Sequence, residues 1–236
     1  MKKILLCLPF AGGSSTWYIK WSKYLDDSIF IETIELSGRG KRLWKPFYTT
    51  LMEAVDDIFL NIPEKIYENQ YFLFGHSMGC TLVYELVYKI IKSGYPPPVH
   101  IFFSGRLSPE QCFNMKRVHD LPIMEFKEEI LKLGGTSSEV FDEKELQKLF
   151  VPIMRADYKI LEEHDYKKYK NLLPCDISIL YGEKDEHTPE DKIYSWRSYT
   201  EKKCDFYSFP AGHFFIKDCE EDVVKIINKT IITYNL

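Results

Sequence analysis

Hydrophobic positions in the first hundred residues follow two rhythms. Short, densely apolar runs at 3–8, 29–36, 70–74 and 99–103 fit buried strands, and longer stretches with apolar residues three or four apart fit helices. Trp17, Trp21, Tyr24 and Leu25 fall at helical spacing and read as core positions. Leu51, Val55, Ile58 and Phe59 share one side of a second helix, which stops near Pro63. The helix after 70–74 runs to about Lys92, where Gly94-Tyr95-Pro96-Pro97-Pro98 ends it. Glycine-rich or polar loops separate these elements: Pro9 to Ser15, Ser37 to Arg42, and Ser104-Gly105-Arg106. Strands alternating with helices predict a mostly parallel sheet covered on both faces.

From about 107 to 173 the alternation stops. Helical patterns at 122–133 and 143–164, the latter expected to break at Pro152, stand where a strand is due, with Gly134-Gly135-Thr136 as a flexible joint. A helical insertion so late in a parallel sheet lies over the strands' carboxyl edge and reads as a lid carrying a substrate pocket. The alternation resumes with a strand at 176–181, a helix near 190–200, a strand at 205–209 and a last helix from Glu220. The expectation is a single α/β domain, 1–236, with one insertion.

Composition narrows the class. The 236 residues are 45% hydrophobic and 15% aromatic, enough for a sizeable core. A net charge of −4 gives no reason to expect nucleic-acid binding. Met1-Lys2-Lys3 followed by an apolar run mimics an export signal, but the run is short, no small-residue cleavage site follows, and a first strand fits better. No run is long enough to span a membrane. The six cysteines (Cys7, Cys80, Cys112, Cys175, Cys204, Cys219) form no C-x-x-C pair and are expected to be reduced thiols in a cytoplasm.

The chemistry centres on Gly75-His76-Ser77-Met78-Gly79, a G-x-S-x-G between a strand and a helix. The glycines two before and two after Ser77 leave room for a sharp turn that holds the hydroxyl out at a helix N-terminus. A nucleophilic serine needs a base and a group that orients it, in the chain order serine, acid, histidine. Asp185 follows the strand at 176–181 and His213 follows the strand at 205–209, as that order requires. Glu183 and Glu186 are alternative acids on the same loop, and His187 is an alternative base. His100, His119 and His164 read as structural or surface histidines, and His76 packs beneath the turn. The oxyanion donors are expected to be the backbone N–H groups of Met78 and of Ala11 (or its neighbour Phe10), with Gly12 and Gly13 letting that loop approach a carbonyl. No metal or redox cofactor is needed.

Taken together, Pro9-Phe10-Ala11-Gly12-Gly13-Ser14, Ser37-Gly38-Arg39-Gly40, the serine turn, Ser104-Gly105-Arg106, Leu133-Gly134-Gly135-Thr136, Pro152-Ile153-Met154-Arg155-Ala156-Asp157 and Gly212-His213-Phe214-Phe215 resemble a type II thioesterase, the free-standing editing enzyme of nonribosomal peptide and polyketide synthases. Two positions depart from that pattern: Ser37, where proline is frequent, and Cys80, where alanine is frequent. The resemblance implies an α/β-hydrolase fold and a monomer that removes acyl groups from the phosphopantetheine arm of a carrier protein. Ser77 would attack, His213 would shuttle the proton, and Asp185 would orient His213. Phe10, Phe113, Met115, Leu121, Met124 and Phe214 are the expected acyl-pocket residues. Lys41, Arg42, Lys45, Lys116 and Arg117 are candidates for a basic rim facing an acidic carrier. The alternatives are a medium-chain fatty acyl thioesterase, a small-ester carboxylesterase, a product-releasing thioesterase and a catalytically dead binding protein; the last is disfavoured because all three triad residues are present.

Overall fold

A computed structural model of the chain describes residues 2–112, 116–166 and 172–234. Among these, strands β1 (Lys3–Leu8), β2 (Ile29–Thr33), β3 (Gln70–His76), β4 (His100–Ser104), β5 (Asp176–Gly182) and β6 (Cys204–Phe209) form one sheet in the order β2-β1-β3-β4-β5-β6. Every neighbouring pair is parallel. The helices are α1 (Leu51–Asn61), α2 (Met78–Lys92), α3 (Ile123–Lys132), α4 (Glu139–Asp142), α5 (Lys144–Glu162), α6 (Glu190–Ile193), α7 (Phe215–Asp218) and α8 (Glu220–Thr233).

The inner strands β1, β3, β4 and β5 are buried on both faces, so their side chains divide between two cores, while the edge strands β2 and β6 are only partly covered. Ile4, Leu6, Leu8 and Leu73 face α1 and α2, while Leu5, Cys7, Phe72 and Phe74 face Trp21 and α8. Strand order reverses at β1: the chain steps to β2 on one side and returns to lay β3 on the other. Leu8 pairs with Gly75, so the loops leaving β1 and β3 emerge side by side at the carboxyl edge. That crevice is where open parallel sheets bind ligands.

Three local expectations are corrected. The strand expected at 29–36 ends at Thr33, because Glu35 is drawn into the neighbouring loops: its carboxylate accepts from the Ser14 hydroxyl and the Ser15 N–H, and its carbonyl from Arg42. The segment Ser15–Lys23 is a 3₁₀ helix rather than an α-helix. Side chains three apart eclipse in that geometry, and Ser15, Tyr18 and Trp21 are the buried ones while Trp17 sits at the margin. The third concerns Pro152, which lies inside α5 without breaking it. Its fixed φ suits a helix, and the lost hydrogen bond is offset by burial of Val151, Ile153, Met154, Ile160 and Leu161 around it.

Between β4 and β5 the described residues contain helices and no named strand. Val118, Phe126, Ile130, Phe141, Val151 and Met154 make a small core of their own there. The exposed Pro152 costs helix stability without packing in return. Pro152→Ala is therefore expected to stabilise the protein by about 2 kcal/mol, raising Tm by roughly 4–8 °C in a thermal scan. A lowered Tm would mean that α5 needs the proline's local geometry.

Candidate active site

Ser77 has φ 53° and ψ −115°, and it is the one non-glycine residue with positive φ among the described residues. Such a conformation costs about 1–3 kcal/mol and survives only where its surroundings enforce it. The enforcement is steric. A Cβ on Gly75 would lie 2.3 Å from the Gly79 carbonyl, and a Cβ on Gly79 would lie 2.5 Å from the Leu8 carbonyl oxygen. The Ser77 N–H donates to the Ser104 carbonyl at 2.8 Å, tying the turn to β4. Beneath it the Cys80 thiol lies 3.0 and 3.1 Å from the carbonyls of Gly75 and Ser104, between which its one proton is shared, and burial pushes this thiol up to about 12. Cys80 is thus a buried neutral spacer.

His213 reaches the same place from the loop after β6. Its Nδ1 lies 2.7 Å from Asp185 Oδ2, and both side chains are buried. Burial alone would raise the Asp185 carboxyl, but hydrogen bonds from His213, the His187 N–H and the Thr188 hydroxyl hold it below the usual carboxylate range. An Nδ1–H donated to that carboxylate leaves Nε2 of His213 for the serine side. His213 and Ser77 line one cavity of about 200 Å³. His76 lies under them with its ring 5.0 Å from that of His213 and its Nδ1 2.9 Å from the Ser104 hydroxyl. Burial, and then the nearby His213, holds His76 well below the ordinary histidine value, so it stays neutral. Gly105, at φ 63°, makes room: a Cβ there would come within 2.6 Å of His76 Cε1 and 3.4 Å of His213 Cε1.

Ala11 lines the cavity from the loop after β1, which leaves the sheet beside the turn into α2. Met78 opens that helix, so its N–H has no carbonyl one turn behind it. The remaining wall comes largely from the β4–β5 segment, with Leu107, Cys112, Val118, Ile130, Tyr158 and Leu161 as its apolar and aromatic members.

The structure distributes the remaining candidates unevenly. Phe10 and Phe214 line a smaller cleft that shares Ala11, Ser77 and His213, and their rings meet edge to face 4.9 Å apart. Leu121 packs against the insertion's own core, and Met124 is 64% exposed; neither lines the cavity. The inward side of α3 is set by Phe126 and Ile130, four apart, and Met124 falls on the other side. Phe113 and Met115 lie outside the described residues. Of the rival acids, Glu183 is exposed and accepts from Ser208, and Glu186 is exposed. Of the other histidines, His100, His119 and His164 contact Ser178, Glu162 and Glu85, and none of the three lines the cavity. His187 does line the cavity, its ring 5.8 Å from that of His213. In the basic set, Arg42 pairs with Asp57 and Lys116 with Glu129, while Lys41, Lys45 and Arg117 are exposed. Sequence reasoning quoted Arg106 and Leu133 only within motifs and gave them no pocket role, and it missed Tyr158, Ile130 and Leu161, which no local pattern marks. Among the described residues, no group of three or more His, Cys, Asp and Glu side chains is placed to hold a metal, and no helix is long and apolar enough to cross a membrane.

A family model described as Thioesterase domain matches residues 3–231. The chain is 29% identical over 228 residues to the gramicidin S biosynthesis protein GrsT of Aneurinibacillus migulanus, covering 96% of this chain and 88% of that protein. It is equally, 29%, identical over 226 residues to the medium-chain S-acyl fatty acid synthase thioesterase of Rattus norvegicus, covering 94% and 84%. The crystal structure of ClbQ from the colibactin NRPS/PKS pathway superposes with a TM-score of 0.92 at 36% identity, over 99% of this chain and 98% of that one.

The buried imidazoles make stability depend on pH. Burial depresses His76 well below its ordinary value and His100 to about 4. In the unfolded chain both titrate near 6.5, so below that pH the unfolded state binds protons the native state refuses. Stability is present above about 6.5 and is lost as pH falls toward 4, by up to about 1.4 kcal/mol per pH unit for each histidine. Urea unfolding between pH 7.5 and 5 should show this fall, and His100→Asn should make it shallower. A flat profile would contradict the neutral assignment.

Proposed function

Because the chain belongs to the thioesterase domain family, we propose that Ser77, His213 and Asp185 are its catalytic triad and that its substrates are acyl groups on the phosphopantetheine arm of carrier proteins in nonribosomal peptide or polyketide biosynthesis. The observation that carries the reading is the convergence of the strained Ser77 and the Asp185-bound His213 on one cavity roofed by the β4–β5 segment. The likeness to GrsT and ClbQ supports the synthase setting.

In the first half-reaction Ser77 Oγ adds to the thioester carbonyl carbon while its proton passes to His213 Nε2. The oxyanion takes the N–H groups of Met78 and Ala11. Collapse breaks the C–S bond, and His213 returns the proton to the departing sulfur, giving a free thiol and an acyl-serine. Water then adds to the acyl-serine with His213 again taking a proton, and a carboxylic acid leaves as Ser77 is restored. Asp185 holds the imidazole and stabilises its cation, which its depressed pKa suits. The pantetheine arm enters under the β4–β5 segment, which serves as a lid, and the carrier's body stays outside. A cavity of about 200 Å³ favours short acyl groups.

A second reading, a medium-chain fatty acyl thioesterase, is favoured by the equal identity to the rat enzyme. Both readings share the chemistry and differ in substrate. Ser77→Ala and His213→Ala are expected to lower kcat/KM on an acyl thioester by about four to six powers of ten, and Asp185→Asn by somewhat less. One acyl group presented on a carrier protein, on coenzyme A and as an oxygen ester should be hydrolysed with kcat/KM falling in that order, because carrier contacts remote from the bond position it. Oxygen-ester hydrolysis as fast as the carrier thioester would replace the reading with an esterase. A preference for medium over short chains would favour the second reading.

A further inference from the structure

Two of the shared motifs, Ser37-Gly38-Arg39-Gly40 and Pro152 to Asp157, have no role in the chemistry above. A charged residue from each motif meets the other, Arg39 with Asp157. Arg39 follows β2 and Asp157 lies on α5, yet their side chains are 4% and 2% exposed and form a two-point pair, Nη1 to Oδ2 and Nη2 to Oδ1, each 2.6 Å. The pair grips the backbone of the loop that carries Ala11. The Gly12 N–H donates to Asp157 Oδ2 at 2.7 Å, and Arg39 Nη1 donates to the Gly13 carbonyl at 3.1 Å.

The loop itself is a turn closed by the Gly13 N–H donating to the Phe10 carbonyl at 2.9 Å, with Ala11 and Gly12 in the middle. Gly12 has φ 75°, as the third residue of a type II turn requires. A Cβ on Gly12 would meet Met154 Cγ at 2.7 Å, so α5 also seats directly on the turn, one helical turn before Asp157. The carboxylate fixes the peptide plane between Ala11 and Gly12, and the guanidinium fixes the Gly13 carbonyl, at the far end of the turn. The turn's orientation, and with it the direction of the Ala11 N–H, is thus set by a helix of the β4–β5 segment.

We infer that Arg39 and Asp157 are positioning residues for the oxyanion hole, and that α5 stays docked on the catalytic loop through turnover. Any opening that admits substrate then falls outside α5. The inference rests on the assignment of Ala11 as an oxyanion donor.

The test uses Asp157→Asn and Arg39→Lys, which keep size or charge but lose the two-point geometry, with a short-chain acyl-coenzyme A as substrate. Each should lower kcat about 10- to 100-fold, less than or equal to the loss of one oxyanion donor, with KM changed less than about threefold. An alkyl boronic acid, which bonds to Ser77 Oγ as a tetrahedral adduct with an oxygen in the hole, should lose affinity in step with kcat/KM. A non-hydrolysable thioether analogue of the substrate should bind as to the unaltered chain. Unchanged kcat and boronate affinity with a lowered Tm would overturn the inference and leave the pair a structural tie. Equal loss for boronate and thioether would overturn it too, by making the pair a wall of the acyl pocket. Should Asp157→Asn not fold, Arg39→Lys carries the same comparison. Failure of the hydrolase reading is separate: it would appear as undiminished turnover in Ser77→Ala, before any comparison with the pair.

Discussion

The contact between Gly75 and the backbone of Gly79 is the constraint on which the site turns. Only the absence of both side chains lets β3 fold so abruptly into α2, and only that reversal holds Ser77 at φ 53°. The sheet sets the rest in relation to that point. Because Leu8 lies beside Gly75, the Ala11 loop leaves the sheet next to the serine. Because β4 and β5 follow on the other side, Gly105 opens space for the imidazoles and Asp185 rises within reach of His213. Each component is an ordinary consequence of parallel strands ending at one edge, and the strained serine is where they are brought to bear.

Electrostatics at this edge separates two kinds of histidine. His213 has a carboxylate held ionised by three donors, which is the partner a transient imidazolium needs. His76, a few ångströms below, has a hydroxyl partner and no carboxylate, and burial keeps it neutral. A neutral ring beneath His213 adds bulk and shape without a competing positive charge. The chain belongs to the thioesterase family, and its Asp185–His213 pair sits in a cavity whose wall joins apolar and aromatic residues to Arg106, Lys116, Glu129 and Glu162.

What could be read from the sequence was local or ordered along the chain. The serine turn is encoded within five residues, and the places of Asp185 and His213 follow from strand order, so it was legible that these three would be brought to one edge. The α/β alternation was legible for the same reason, since each buried strand announces itself in its own residues. Helix type at Ser15–Lys23 was not: Trp17, Trp21, Tyr24 and Leu25 fit a period of 3.6, whereas the residues the fold buries are Ser15, Tyr18 and Trp21, three apart. Pro152 misled because a local penalty was outweighed by apolar burial along the same helix. Met124 misled because apolar character does not say which side of α3 faces inward. The Arg39–Asp157 pair joins residues 118 positions apart, and neither flank hints at the other.

The central claim is that acyl groups pass through Ser77. Rapid quenching of the protein mixed with an acyl-coenzyme A, followed by intact-mass and peptide-mass analysis, reads this directly. The account predicts a mass increase of one acyl group on the peptide containing Ser77, decaying as free acid appears, and no such species in Ser77→Ala. Acyl label on another residue, or free acid released at an undiminished rate by Ser77→Ala, would contradict it.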